Sequence, residues 1–254
     1  MTDFYAQIET ASQILKHASY AIALTGAGIS TPSGIPDFRS PGSGLWTQVN
    51  PMDVASIIAF RQHPEIFYDW VRPLAGKILN AEPNPAHYAL AQLEAAGILK
   101  TIITQNIDGL HQAAMSKQVL EVHGHTRSAT CVRCYKSFSA EPIMRALMNG
   151  DTVPTCDICG GPLKPDVILF GEQLPVEPLL QARHAANRAD VILVVGSSLE
   201  VAPISELPYD ALAHGAKLII INFQPTYLDE RAAVVIHHNV TEVLPEITKR
   251  VITD

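Results

Sequence analysis

Phe4, Ile8, Ala11, Leu15 and Ala18 recur every three or four positions, and at Tyr20 this spacing gives way to the run Tyr20-Ala-Ile-Ala-Leu-Thr25. The first pattern puts an apolar stripe on one face of a helix, and the second suits a strand covered on both faces. Gly26 follows at once, so the chain opens as helix, strand and glycine-rich turn. Further runs predict strands at 101–104, 119–122, 167–170, 190–195, 217–222 and 233–236. Between them, helical patterns occupy 85–96, 177–188 and 205–214, the first and last closed by Gly97 and Gly215 as C-caps. Strand and helix in alternation predict the α/β class with a doubly wound parallel sheet.

Two stretches break the alternation. One is the Pro/Gly/Ser-rich loop 31–44 with the helical region that follows to about Leu79. The other is the cysteine-bearing segment from about 127 to 164. Both read as excursions that build a smaller inserted domain, helical over about 41–79 and metal-binding over about 127–164. The large domain then takes about 1–40, 80–126 and 165–254.

Composition narrows the class. With 254 residues, 47% apolar and 17% charged, the chain suits one large globular domain with an insertion and not a disordered polymer. Its apolar runs at 191–195 and 218–221 are strand-length, well short of the roughly 20 residues a membrane helix needs, so no membrane partner is expected. The start Met1-Thr2-Asp3-Phe4 lacks the basic, apolar and small-residue pattern of a signal peptide, which predicts a cytoplasmic protein. A net charge of −7 gives no electrostatic basis for sequence-blind nucleic-acid binding and would tolerate basic peptides.

Candidate chemistry collects at predicted strand ends. Gly26-Ala27-Gly28-Ile-Ser-Thr31 follows the first strand, where glycines let the backbone turn and approach a pyrophosphate. An ordinary glycine turn is the alternative, since Thr31 stands where a third glycine belongs. Gln105, Asn106 and Asp108 end another strand, and their amide and carboxylate groups suit ribose hydroxyls and a carboxamide; singly, Asn106 and Asp108 are also common turn-formers. Gly196-Ser197-Ser198 offers amides and hydroxyls to phosphate, and Asn222 offers one polar side chain after an apolar strand. Three such ends together favour a nucleotide. His123 follows the predicted strand 119–122, with His111 and His125 as competitors for any catalytic role.

Cys131-x-x-Cys134 and Cys156-x-x-Cys159 are the only four cysteines, and 21 residues separate the pairs. This spacing is close to that of a zinc ribbon, in which four thiolates close a tetrahedral site with no position for water. One structural Zn²⁺ is expected, with redox-active pairs as the alternative.

Taken in order, Gly26-Ala-Gly-Ile-Ser, Gly34-Ile-Pro-Asp-Phe-Arg-Ser40, Thr104-Gln-Asn-Ile-Asp108, Val122-His-Gly, the cysteine pairs, Pro165 through Glu172, and Gly196-Ser-Ser resemble the sirtuins nearly end to end. The resemblance implies a Rossmann-type domain, a smaller zinc-ribbon and helical domain, and NAD-dependent removal of acyl groups from lysine in acetylated protein or peptide substrates. It implies NAD contacts at Gly26, Ala27, Gly28, Thr31, Phe38, Arg39, Gln105, Ile107, Asp108, Gly196, Ser197, Ser198, Asn222 and Val240, with Asp37 to Arg39 on a cofactor loop. Asn106 and Asp108 would hold nicotinamide and its ribose. Ile168, Leu169, Phe170 and Gly171 would pair with the substrate backbone as an added strand. His123 would be the general base, deprotonating a ribose hydroxyl after the acyl oxygen has displaced nicotinamide.

Departures from the family pattern are few. Ser197 stands where Thr is frequent and Lys164 where Arg is frequent, and His238-Asn-Val240 lacks the usual Gly or Asp. The Tyr-x-x-Arg pair of sirtuins that prefer acidic acyl groups is incomplete, because Val71 follows Tyr68 by three and Arg72 is one helical step, about 100°, away. Acetyl is therefore expected over succinyl. Rival readings are a Rossmann hydride-transfer enzyme, an ADP-ribosyltransferase on the same scaffold, and a catalytically silent NAD- and zinc-binding adaptor.

Overall fold

The computed structural model describes residues 2–40, 42, 44–150 and 153–253. Met1, Pro41, Ser43, Asp151, Thr152 and Asp254 lie outside it, so the chain start, the 31–44 loop and the 127–164 segment are described only around those positions. The strands are β1 (Ala21–Thr25), β2 (Leu99–Thr104), β3 (Val119–Glu121), β4 (Gly124–Cys131), β5 (Ser137–Ser139), β6 (Leu163–Val167), β7 (Val191–Val195), β8 (Lys217–Ile221) and β9 (Val234–Ile236). The helices are α1 (Thr2–Lys16), α2 (Pro51–Val54), α3 (Ile57–Gln62), α4 (Pro64–Asn80), α5 (Pro85–Ala95), α6 (Leu110–Ala113), α7 (Ala140–Met148), α8 (Val176–Arg188), α9 (Leu207–Ala213) and α10 (Val240–Ile252).

Six strands form one parallel sheet in the order β3-β2-β1-β7-β8-β9. Counted within that sheet this is the Rossmann order, whose connections reverse direction between β1 and β7. Side-chain alternation divides each strand between two cores. Ala21, Ala23, Val191, Leu193, Ile219 and Ile221 face α1, α5 and α10, while Ile22, Leu24, Ile192, Val194, Leu218 and Ile220 face α8 and α9. Both faces being covered explains why polar positions in β1, β7 and β8 are confined to the ends, at Thr25 and Lys217.

The run at 167–170 does not join that sheet. Only Val167 is in a strand, at the end of β6, which pairs antiparallel with β4 in a second, three-stranded sheet ordered β5-β4-β6. Residues 168–170 are irregular, and the run is apolar because Val167 and Leu169 pack into a third core. That core joins Phe60, Phe67 and Tyr68 from α3 and α4, Met144 and Leu147 from α7, and Cys131 and Cys156. The helical and cysteine-bearing excursions thus share one interior.

Besides the single turn of α6, two helices have no counterpart in the sequence reading. In α10, Val240, Val243, Leu244, Ile247 and Val251 recur at helical spacing and are buried, and Asn239 caps its start by accepting from the Thr241 amide at 3.1 Å. The second is α7, which lies between the cysteine pairs.

Candidate active site and metal centre

The loops after β1 and β7 cross at the reversal point. The Gly26 amide donates to the Val195 carbonyl at 3.1 Å and the Gly28 amide to the Gly196 carbonyl at 2.8 Å. A Cβ on Gly26 would lie 2.8 Å from the Gly196 oxygen, and one on Gly28 would lie 2.8 Å from the Gly196 Cα. Gly196 itself has φ +59° and would bring a Cβ within 2.3 Å of the Ile29 nitrogen. The glycines are therefore required by the meeting of two strand ends, a reason the sequence reading did not include when it assigned them to a pyrophosphate.

A polar network continues from this crossing. Ser30, 1% exposed, donates from Oγ to Asp108 Oδ2 at 2.7 Å and accepts from Asn106 Nδ2 at 3.1 Å. Asn106 Nδ2 also donates to the Gly26 carbonyl at 3.1 Å, which fixes the amide so that its Oδ1 is turned away from both acceptors. Asp108 Oδ1 accepts from the Leu110 amide at 2.9 Å. Burial raises the Asp108 pKa, opposed by the Leu110 and Ser30 hydrogen bonds. Gln105 Nε2 donates to Ser197 Oγ at 3.0 Å, linking the ends of β2 and β7.

His123 lies in the turn between β3 and β4. Its Nδ1 is 3.2 Å from the Gln105 carbonyl oxygen, an acceptor only, so Nδ1 carries the proton and a neutral ring leaves its lone pair on Nε2. Burial lowers the His123 pKa and the Arg39 charge adds to the effect, against the opposing hydrogen bond to Gln105. The neutral form of this ring is thus favoured, as a proton acceptor needs. Its competitors differ. His111 is 1% exposed, and its Nε2 is 2.9 Å from Thr25 Oγ1, whose proton goes to Thr104 Oγ1. His111 therefore donates from Nε2, and burial and His87 push its pKa down to about 3. It belongs to the supporting interior. His125 has a buried Nδ1 without a partner.

The remaining predicted positions divide by what holds them. Asp37 closes its own loop, its Oδ1 accepting from the Arg39 and Ser40 amides at 2.9 and 2.6 Å. Arg39 Nε meets Glu200 Oε2 at 3.0 Å. Phe38 stacks on Trp46 at 5.1 Å between ring centres, and Trp46 stacks on Trp70 at 5.3 Å and meets Phe170 edge-on at 6.0 Å. Thr31 Oγ1 donates to the Gly28 carbonyl at 3.1 Å, and Ala27 and Ser198 lie half-buried beside the crossing. Ile107 packs against the small core. Asn222 Nδ2 donates to the Gln224 carbonyl at 2.7 Å. Val240 is 3% exposed and belongs to the large core, so only its backbone, at the start of α10, is open to a ligand.

In the segment 168–171, the Ile168 amide donates to the His123 carbonyl at 2.9 Å. The Phe170 amide donates to Ala55 at 2.9 Å, and the Phe170 carbonyl accepts from Ile57 at 3.0 Å. Leu169 donates to Glu172 Oε2 at 2.8 Å, and Gly171 has φ +85°. One edge of this segment is thus already paired. Ser30, His87, Trp46 and Trp70 were not singled out by sequence reasoning; Ser30 lies inside the first glycine motif, and the tryptophans lie in the loop and helix that broke the alternation.

The four cysteine sulfurs lie within 4.8 Å of one another, with Cys131–Cys159 at 3.5 Å and Cys134–Cys156 at 3.6 Å. A tetrahedral Zn²⁺ with Zn–S near 2.3 Å needs sulfurs about 3.8 Å apart, so the donor set fits that ion. Gly161 permits it, because a Cβ there would approach Cys131 Sγ to 3.0 Å.

Comparison with known proteins adds to this geometry. The Sir2 family pattern matches residues 26–203. A relative from Sulfolobus acidocaldarius named NAD-dependent protein deacetylase is 45% identical over 231 residues, 91% of this chain and 90% of its own. A solved structure concerned with the mechanism and regulation of Sir2 enzymes superposes with TM-score 0.91 at 44% identity, covering 99% of this chain and 98% of the other. Another, a Sir2 variant with a deacetylated p53 peptide and 3′-O-acetyl ADP ribose, superposes with TM-score 0.91 at 39% identity over 95% and 97%.

Proposed function

The chain belongs to the Sir2 family, and we propose that it removes acetyl groups from protein lysine side chains with consumption of NAD, releasing nicotinamide and O-acetyl-ADP-ribose. The observation that carries this reading is the meeting of His123 with the Gln105-Asn106-Ile-Asp108 strand end through the Gln105 carbonyl, 3.2 Å from Nδ1. NAD, when bound, supplies a ribose carbon to which the acyl oxygen attaches and nicotinamide as the leaving group.

The protein's own groups do the rest. Asn106, anchored through Nδ2 to Gly26 and Ser30, presents Oδ1 to the nicotinamide ribose, and Asp108, braced by Ser30 and Leu110, receives the carboxamide. Amides and hydroxyls at Ala27, Thr31, Ser197 and Ser198 receive the phosphates, Gln105 and Ile107 bound the cofactor cavity, and Asn222 and the Val240 backbone bound the adenosine end. Phe38 and Arg39 close over the cofactor, Arg39 exchanging Glu200 for a phosphate. His123 Nε2 takes the proton from a ribose hydroxyl, and the depression of its pKa by burial keeps it able to do so near neutral pH. The peptide lies along 168–171 on the side away from 55–57, where it exchanges the bonds that Leu169 makes to Glu172 for its own main chain.

The four cysteines hold one zinc ion in a closed thiolate set with a structural role. A cytoplasmic setting suits four thiols kept for a metal. Among the described residues no helix is long and apolar enough to cross a membrane. Incubating the protein with NAD and an acetyl-lysine peptide tests the reading: deacetylated peptide with O-acetyl-ADP-ribose supports it. NADH formation, ADP-ribosylated protein, or no consumption of NAD would each replace it by one of the rival readings.

A further inference from the structure

Lys164 is buried at the start of β6, and its ammonium has three acceptors: the Pro165 carbonyl at 3.0 Å, the Val167 carbonyl at 2.8 Å and Glu172 Oε2 at 3.1 Å. An ammonium has three N–H groups, so the set is saturated. Glu172 Oε2 also accepts from the Leu169 amide at 2.8 Å, and the Glu172 amide donates back to the Leu169 carbonyl at 3.0 Å. These bonds enclose residues 165–172, the stretch in which the chain leaves the β4–β6 ladder without entering another. With side chains 11% and 20% exposed, this is the one ion pair among the described residues in which neither partner exceeds 20%. Pairs removed from water in this way return little net stability, because desolvation offsets their attraction.

We propose that Lys164 and Glu172 are positioning residues that hold the backbone of 168–171, including the turn closed by the Glu172 amide on the Leu169 carbonyl, in the shape against which a substrate peptide docks, and that they set peptide affinity and not the chemical step. The inference rests on the deacetylase reading above. Val167 and Leu169, the residues flanking Ile168, are the ones tied down, and Ile168 is bonded to the His123 carbonyl. The segment's geometry is thereby referred to the proposed base. Nothing from the pair reaches the nucleotide strand ends, so NAD affinity is independent of it. Arg at position 164 would bring a planar fork to three divergent acceptors and restore the clamp only in part.

Steady-state kinetics and direct binding of a fluorescent acetyl-lysine peptide test this on wild type, Lys164→Met, Lys164→Arg and Glu172→Gln. Lys164→Met should raise peptide KM and Kd by about tenfold or more, with NAD KM and kcat within about threefold of wild type. Lys164→Arg should recover part of the loss. Glu172→Gln keeps an acceptor for the Leu169 amide, leaves the fold without an unpaired carboxylate and should give a smaller rise in the same parameter; it carries the test if Lys164→Met does not fold. Unchanged peptide KM and Kd in folded variants, or parallel losses in kcat and NAD KM, would overturn the proposal. Wild type that neither binds nor deacetylates the peptide would instead overturn the deacetylase reading itself.

Discussion

His123 Nδ1 lies 3.2 Å from the carbonyl oxygen of Gln105, so one backbone bond both orients the imidazole and fixes its tautomer. Gln105 in turn reaches Ser197 at the end of β7, which sets the ring relative to both sides of the sheet reversal. Removing the imidazole should therefore abolish proton transfer without dismantling the nucleotide site. His123→Ala is expected to lose about 10²–10⁴-fold in kcat while binding NAD with near wild-type affinity by calorimetry. Loss of NAD binding in the same variant would assign His123 to the cofactor site instead.

His111 and His125 were the competitors for the catalytic role, and His111→Ala and His125→Ala should cost less activity than His123→Ala. For His111 the structure changes the kind of effect: its ring is 1% exposed and donates to Thr25, so truncation leaves a cavity in the interior and removes one of the two bonds of that hydroxyl. A drop in Tm is expected from His111→Ala, larger than from His123→Ala. Equal Tm values for the two variants would contradict this division of roles.

Burial and Arg39 depress the His123 pKa, and only its neutral form accepts a proton. As pH falls, kcat/KM should decline with a midpoint below about 6.5, the ordinary histidine value. An acid limb centred above that value would mean that the titrating group is not this buried ring.

Stability has its own pH dependence. Burial lowers His87 to about 4 and His111 to about 3, whereas both titrate near 6.5 in the unfolded chain. The unfolded state then binds more protons between about 4 and 6.5, so this contribution is complete above about 6.5 and is lost progressively as pH drops. Tm should fall over that window, and less steeply in His111→Asn than in wild type. A flat Tm through the window would show that the two rings take up protons as readily in the fold as in the unfolded chain.

Cys131 and Cys156 belong to the same core as α4 and α7 and Cys159 packs against it, so metal removal should unfold more than the knuckles. Chelation is expected to lower Tm and activity together, with one zinc per chain by elemental analysis. Metal-free protein of unchanged Tm would contradict a structural ion.

For acyl choice, Arg72 donates to the Leu147 carbonyl and meets Asp69 at 3.5 Å, while the Tyr68 hydroxyl is buried and donates to the Leu163 carbonyl at 2.6 Å. A distal carboxylate would find neither of them, so acetyl-lysine should exceed succinyl-lysine in kcat/KM by about tenfold or more. Val71→Arg should narrow the gap. A wild-type preference for succinyl would overturn this.

Much of this was legible along the chain because the parallel strands are buried on both faces, and β1, β7 and β8 fall within the runs at 20–25, 190–195 and 217–222. The misassigned run at 167–170 shows the limit of that signal. Apolar residues there serve a third core and an aromatic wall, and periodicity alone does not distinguish these from a sheet. Ser30 and Lys164 illustrate a second limit: a buried polar residue takes its meaning from partners 78 and 8 positions away, which only the fold brings together.

The central claim is that acetyl-lysine cleavage and NAD cleavage are one reaction on this chain. Nicotinamide and deacetylated peptide, measured together in a single time course with NAD and an acetyl-lysine peptide, should appear in a one-to-one ratio, with almost no nicotinamide from the unacetylated peptide. Deacetylated peptide without nicotinamide, or nicotinamide released equally from both peptides, would contradict the account.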